Sequence, residues 1–405
     1  MQLVRMDDLP ISLGQKLKFL KQPKGFSTKA IHSGQESKQW NSGAVVPPIV
    51  TSSTFVQETP GEHTGFRYSR YGNPTRNSLD ECLASLDDAK YAITFSAGVG
   101  ALTAIMASFE SGDNLISSKK FFAGDFIIWD TFKKLGVETK YIDFEDLNNL
   151  KEALDEKTRM VWIESPMNPS LTVLDIKAIA DIVHLKSKAF LVVDNTFLTP
   201  YFQRPLELGA DIVAYSISKF IGGHSDIVGG SIVTNNQELY EKIKASQIAL
   251  GVIPSPFTCY LINRSLRTLS VRMEKHFENS YAVAKFLESH PKIEKVNHPA
   301  LKSHQGFGIA TKQSYGHSGI FSFYIKNGTL EMSKTFFKSL KLVIVGESLG
   351  GTETLASFPW VMSHSTMPED ERIKAGVTES LIRISIGLED VRDVIEDLGY
   401  ALEAI

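Results

Sequence analysis

Asp211-Ile212-Val213-Ala214-Tyr215-Ser216-Ile217-Ser218-Lys219-Phe220, continuing into Ile221-Gly222-Gly223-His224-Ser225-Asp226, is the stretch whose reading decides the fold. An apolar run of strand character delivers a lysine into a loop rich in Ser and Gly. A lysine in that setting loses its proton more readily than a surface lysine, and can then condense with an aldehyde to form a Schiff base. Ser216 and Ser218 flank Lys219 with hydroxyls suited to a phosphate. From these residues alone, a surface lysine after a buried strand is an equally good reading. Features elsewhere in the chain decide between the two.

Outward from that stretch, residues 91–95, 114–117, 137–142, 159–164, 189–194, 211–216 and 230–234 read as strands. Helical patterns fall between them, over 75–89, 102–109, 147–154 and 174–185. In the last of these Ile176, Ile179, Ala180, Val183 and His184 share one face, and His184 reads as a packed core or boundary residue rather than a ligand. Seven Val/Ile/Leu-rich strands alternating with amphipathic helices predict an α/β fold, a mostly parallel seven-stranded sheet covered on both faces. Beyond it a long helix is expected over 261–288, then an α+β pattern with strands near 319–325, 342–345 and 381–386. The last segment, 388–405, puts Val391, Val394, Ile395, Leu398 and Leu402 on one face, with Glu389 and Asp390 in its first turn where the helix dipole favours them.

The first 25 residues are polar and read as a mobile arm without a secretory leader. The Gly- and Pro-rich residues 25–74 have no core of their own and need a surface to lie on, which another subunit would supply. The expected division is an arm over 1–70 docking on a neighbouring subunit, a ligand-binding α/β domain over 71–270 and a smaller α+β domain over 271–405. A formal net charge of −3 supplies no basic field for nucleic acid. No apolar run is long enough to span a bilayer. Cys82 and Cys259 make neither a metal spacing nor a disulfide framework, which points to a reducing, cytoplasmic setting.

In an open parallel sheet, ligands bind beyond the carboxyl ends of the strands. Four polar features fall there. Ser96-Ala97-Gly98-Val99-Gly100-Ala101 follows the first strand, and its small residues would let backbone N–H groups approach a phosphate. Ser165-Pro166-Met167-Asn168-Pro169 follows the fourth strand, Asp194 closes the fifth, and Lys219 follows the sixth. Each alone is a turn, a cap or a surface residue. Together they suggest one ligand: a phosphate for the glycines and serines, a cation for Asp194, and a carbonyl carbon for Lys219. Pyridoxal 5′-phosphate (PLP) has all three.

Longer motifs extend the pattern. Tyr68-Ser69-Arg70-Tyr71-Gly72-Asn73-Pro74-Thr75, Val192-Val193-Asp194-Asn195-Thr196-Phe197, the Lys219 stretch itself and Glu347-Ser348-Leu349-Gly350-Gly351 resemble the Cys/Met metabolism family of PLP enzymes. The resemblance runs from about Ser27 to the C-terminus and is strongest to the γ-lyases that cleave cystathionine. It implies the aspartate aminotransferase-like architecture, fold type I of PLP-dependent enzymes. It also implies that Lys219 is the Schiff-base lysine and the base at Cα, and that Asp194 pairs with the ring nitrogen. Gly98, Val99, Ser216 and Ser218 would hold the phosphate, with Thr196 also at the cofactor. Tyr68 and Arg70 would reach the phosphate of a neighbouring subunit in a homotetramer. Asn168, Ser348 and Arg383 would hold the α-carboxylate of a small amino-acid substrate, with Glu347 near its distal end.

Two positions depart from the family pattern. Phe122 stands where a tyrosine stacks on the cofactor, and Ile127 where an arginine meets the distal carboxylate; Ala97 also replaces a usual serine. A phenyl ring can cover the cofactor but lacks a hydroxyl to relay a proton, help worth about 10²–10⁴-fold. The expected function is a PLP-dependent carbon–sulfur lyase acting on cystathionine, cysteine or a related amino acid. The alternative is a relative that binds PLP without ordinary cystathionine cleavage, acting on another substrate or as a binding protein.

Overall fold

The computed structural model describes residues 12–63, 65–118, 123–365 and 367–405, with the backbone alone for 123–127. A short hairpin, β1 (Gln57–Thr59) with β2 (Glu62–His63), lies in the N-terminal segment. Seven strands follow: β3 (Tyr91–Phe95), β4 (Asn114–Ser118), β5 (Glu138–Ile142), β6 (Thr158–Glu164), β7 (Phe190–Asp194), β8 (Ile212–Ser216) and β9 (Gly230–Thr234). They form one sheet in the order β3-β9-β8-β7-β6-β4-β5. Only β9 runs against its neighbours, so the other six point their carboxyl ends to the same edge.

Alternation along these strands feeds two cores. Met160 and Trp162 face one side of the sheet with Ile93, Phe95 and Trp129, whereas Val161 and Ile163 face the other with Leu79, Ile179 and Val183. Near-continuous apolar strands are what a sheet buried on both faces requires. The seven expected strands are all present, within a residue or so at their ends.

The smaller sheet comprises β10 (Ile293–Asn297), β11 (Ile320–Ile325), β12 (Ile344–Val345), β13 (Leu355–Ser357) and β14 (Leu381–Ser385), in the order β10-β11-β14-β13-β12. On β14, Ile382 and Ile384 are fully buried in the C-terminal core. Period two turns Arg383 between them to the opposite face, toward the large sheet.

Several expectations need correction. The glycine turn after β3 is itself the first turn of a helix, Gly98–Met106, which begins four residues earlier than the apolar periodicity indicated. The single long helix is two, Pro256–Leu266 and Leu269–Ser289, broken where Thr268 leaves helical geometry and its hydroxyl donates to the Ser265 carbonyl. The side chain of Arg272 donates to Ser265 and Phe220 carbonyls and ties that break to the loop after Lys219. His184 is exposed and reaches Asp211 at 2.9 Å, because it sits at the rim of the Ile176–Lys186 helix rather than under it. Asp390 caps the last helix, Val391–Glu403, from outside it, and Glu389 accepts from Thr354 instead of facing the dipole. Residues 12–25 are not a free arm: Phe19 is buried against Phe277, and Leu20 N–H donates to the Ser314 carbonyl. The helix Phe26–His32 packs on the chain's own core through Phe26 and Tyr201. Residues 45–71, by contrast, leave Val45, Val46, Val56, Tyr68 and Tyr71 exposed.

Beneath β8, a buried polar contact joins the sheet to the helix Pro74–Leu86. The Tyr215 hydroxyl donates to the Asp87 carboxylate, 2.8 and 2.9 Å from its two oxygens, and accepts from Asn195 Nδ2 at 3.3 Å. Burial pushes the Asp87 pKa up from 3.8 to about 7, against the lowering effects of Tyr215 and Arg204. A raised folded-state pKa means that stability is fully present below pH 3.8 and is lost as pH rises through 7. Asp87→Asn removes that dependence. Calorimetric unfolding from pH 4 to 8 should show the variant gaining on the wild type as pH rises, by on the order of 4 kcal/mol.

Candidate functional site

At the carboxyl edge of the large sheet, where β14 of the small sheet approaches it, a cavity of about 1490 Å³ opens. Gly98, Val99, Asn168, Asp194, Thr196, Ser216, Ser218, Lys219, Glu347, Ser348 and Arg383 all line it. Lys219 leaves β8 in a tight turn, its N–H donating to the Ser216 carbonyl, and its Nζ donates to Ser348 Oγ at 2.8 Å. Desolvation lowers the Lys219 pKa, Arg383 lowers it further, and Glu347 opposes both. Arg383 donates to Asn168 Oδ1 at 3.1 Å and to the Ser348 carbonyl at 3.0 Å, and burial lowers its own pKa to about 10.

Two glycines let these parts meet. Gly350 has φ +80°, and a Cβ there would lie 2.5 Å from the backbone nitrogen of Phe220, so only glycine lets residues 347–351 press on the Lys219 turn. Gly230 on β9 would put a Cβ 2.4 Å from the Ala97 carbonyl oxygen, so the start of the Gly98–Met106 helix lies flat on that strand.

That helix start has no side-chain cap, which leaves its first N–H groups directed to the cavity. Ser216 packs beside it, about 3.5 Å from where a Gly98 Cβ would be. Thr196 Oγ1 accepts from Ser216 N–H at 2.8 Å, while Thr196 N–H donates to Asp194 at 2.9 Å. Ser218 Oγ exchanges hydrogen bonds with Gly229 N–H (3.0 Å) and the Gly229 carbonyl (3.3 Å). Burial raises the Asp194 pKa, and among the described residues no ion pair offsets that cost.

Tyr68 and Arg70 are not on this cavity's wall. They lie exposed in a cluster where Arg70 covers the Tyr68 and Tyr71 rings at 5.8 and 5.4 Å. The buried Arg76 holds that loop by donating to the Ser69 (2.7 Å) and Arg70 (3.3 Å) carbonyls. Phe122 lies outside the described residues, as does the side chain of Ile127. Sequence reading missed Tyr141, Trp162, Met362, Glu371 and Lys374 on the wall. For Tyr141, next to last on its strand, the strand end was a usable signal; Trp162, inside β6 and packed in a core, and the segment 359–375 carried none.

The model of the Cys/Met metabolism PLP-dependent enzymes matches residues 27–403. The chain belongs to that family. Among curated relatives, cystathionine gamma-lyase of Sus scrofa is 48% identical over 387 residues, covering 95% of each chain. The cystathionine gamma-lyase of Dictyostelium discoideum is 46% identical over 378 residues, 93% of this chain and 97% of its own. Of solved structures, metB from Corynebacterium glutamicum superposes with a TM-score of 0.89 at 40% identity, covering 94% of this chain and 98% of that one. Cystathionine gamma-lyase from Lactobacillus plantarum, complexed with L-serine, does so at 0.90 and 34%, over 94% and 99%.

PLP is the cofactor of this family, and the residues present fit it. Asp194, which burial makes costly to ionise and which has no ion pair among the described residues, complements a protonated ring nitrogen. An uncapped helix start beside Ser216 suits a phosphate. A desolvated amine at Lys219 suits an aldehyde.

The opposing charges on Lys219 give a signed test. In cofactor-free protein, Arg383→Met should raise the Lys219 pKa and Glu347→Gln should lower it. The pH profile of Lys219 modification by an amine-selective reagent, followed by mass spectrometry, should shift to higher pH in the first variant and to lower pH in the second.

Proposed function

We propose that this chain is a PLP-dependent carbon–sulfur lyase of the cystathionine γ-lyase type, acting on a small sulfur amino acid. The supporting observation is that Lys219, Asp194, the Gly98 helix start and Arg383 open into one cavity. In this reading the Gly98 and Val99 N–H groups, Ser216 and Ser218 hold the phosphate, Thr196 braces Asp194, and Asp194 faces the ring nitrogen. When bound, PLP supplies an electron sink for charge developing at the substrate Cα.

The protein's own residues do the rest. Arg383, steadied by Asn168 and the Ser348 carbonyl, turns its remaining N–H groups to the substrate carboxylate. Lys219, with its pKa lowered, is the base that takes the proton from the carbon beside that carboxylate. Ser348 Oγ, 2.8 Å from Nζ, aims the amine during the transfer. In this reading the same amine returns the proton further along the substrate as the sulfur departs. Glu347, on the same cavity wall, serves in this reading the distal end of the substrate. Exposed Val45, Val56, Tyr68 and Tyr71 suit an interface in which Tyr68 and Arg70 complete a neighbouring subunit's site, in a cytoplasmic homotetramer. Among the described residues no helix is long and apolar enough to cross a membrane.

Phe122 and Ile127 favour a second reading, a PLP-binding relative with altered chemistry. Purified protein supplied with PLP should release a keto acid from cystathionine or cysteine, and Lys219→Ala should lower that rate by at least about 10³-fold. Absence of release from any sulfur amino acid sinks the lyase reading. In the second reading, Phe122→Tyr with Ile127→Arg should raise cystathionine cleavage by about 10²-fold or more.

A further inference from the structure

The helix Glu369–Lys374 contributes Glu371 and Lys374 to the cavity wall, and neither has a part in the proton transfer or the carboxylate grip. It is anchored on one side by Arg372, whose Nη1 donates to the Trp360 carbonyl at 2.6 Å and whose guanidinium covers the Trp360 ring at 4.0 Å. Just past its end, the Tyr324 hydroxyl donates to the Gly376 carbonyl at 2.8 Å, and Val377 is fully buried. With Arg372 turned to Trp360, residues 371, 374 and 375 form the face on the cavity wall, the i, i+3, i+4 spacing of one helical side.

That face is close to the substrate grip. Ala375 and Met367 share a small secondary cavity with Asn168, the residue that accepts from Arg383 at 3.1 Å. Lys374, the residue before Ala375, lines the main cavity together with Arg383. Among the described lining residues the lysines and arginines are Lys219, Lys374 and Arg383. In the lyase reading the first serves proton transfer and the last the α-carboxylate, so among the described residues Lys374 is the cation left for a second acidic group. Its own partner is Asp370 at 3.1 Å, with both side chains largely exposed. Such a surface pair is weak and readily exchanged for another carboxylate. Glu371, one turn earlier on the same face, supplies the complementary anion.

The two side chains thus present opposite charges about one helical turn apart, a match for the ammonium and carboxylate of an amino-acid head. The cavity volume of about 1490 Å³ exceeds the ~300–1,000 Å³ usual for one ligand, leaving room for a cofactor and a long substrate. We propose that Glu371 and Lys374 bind the second amino-acid head of a thioether substrate, on the far side of its sulfur, and so set preference for two-headed over one-headed sulfur amino acids. The proposal deepens the lyase reading, and rests on it for the identity of the reacting sulfur.

The test measures binding apart from turnover. PLP-loaded protein carrying Lys219→Ala is titrated calorimetrically with L-cystathionine, which has two heads, and with S-methyl-L-cysteine, which has one. Adding Lys374→Ala should lower the two-head to one-head affinity ratio about tenfold, and Glu371→Gln should lower it by a smaller factor. Lys374→Arg, which keeps the charge, should restore most of the ratio. KM values for the same pair, measured with Lys219 intact, should move in parallel. An unchanged ratio in Lys374→Ala, or failure of the Lys219→Ala protein to bind L-cystathionine at all, overturns the proposal. A lowered ratio in a protein that releases no keto acid would instead keep the distal subsite and discard the lyase reading.

Discussion

The contact between Lys219 Nζ and Ser348 Oγ spans the two sheets at the point where the candidate chemistry sits. The lysine comes from the edge of the large sheet, and the serine from a loop leading out of the small one. Removing the amine from water weakens its hold on a proton, and the loop that does so also supplies its hydrogen-bond acceptor. The same loop provides the carbonyl that orients Arg383. One segment, 347–351, thereby couples the reactive amine to the carboxylate grip. Its close approach depends on a glycine whose φ is positive and whose α-carbon rests against the Phe220 backbone.

Around that contact the charges are arranged by burial more than by pairing. Asp194 is costly to ionise until a cation joins it, and the helix start at Gly98 lacks a cap until an anion does. Arg383 is buried with its hydrogen bonds going to neutral oxygens, and Glu347 acts on it only through its charge. Among the described residues Asp194 and the Gly98 helix start have no partner of opposite charge, and with Lys219 and Arg383 they complement a ligand carrying an anion, a cation and a carbonyl. Arg272, holding the Phe220 and Ser265 carbonyls, braces the turn from behind. Asp397 accepts three consecutive N–H groups at Lys341, Leu342 and Val343, and so fixes the approach of the chain to Glu347 and Ser348.

Much of the large domain was legible because buried parallel strands write themselves as apolar runs. Elements with mixed polarity were harder. The helix Gly98–Met106 began early because glycines hide a first turn that exists to expose its N–H groups. The long helix split where Arg272, seven residues on, reaches back to the Ser265 carbonyl, a side-chain contact that local propensity does not encode. β10 and β13 went unseen because Glu294 and Lys295 break the apolar pattern of one and the other is three residues long. In the candidate site, residues carried by motifs were found, whereas Glu371 and Lys374 lie in a segment whose charges look like any solvated helix.

From its sequence alone, the chain was an α/β protein with Lys219 and Asp194 at strand ends and with the motifs of a PLP-dependent family. Those features are local, since strand periodicity and the residue closing each strand are written in consecutive positions. The family resemblance put Ser348 and Arg383, well over a hundred residues beyond Lys219, at the same site, but only the tertiary structure showed the Ser348 hydroxyl on the Lys219 amine and the Ser348 carbonyl on Arg383. It alone showed Asp87 buried against Tyr215, and the helix Glu369–Lys374 on the cavity wall. Such placements follow from how two sheets pack together, and packing between distant segments leaves no period in the sequence to read.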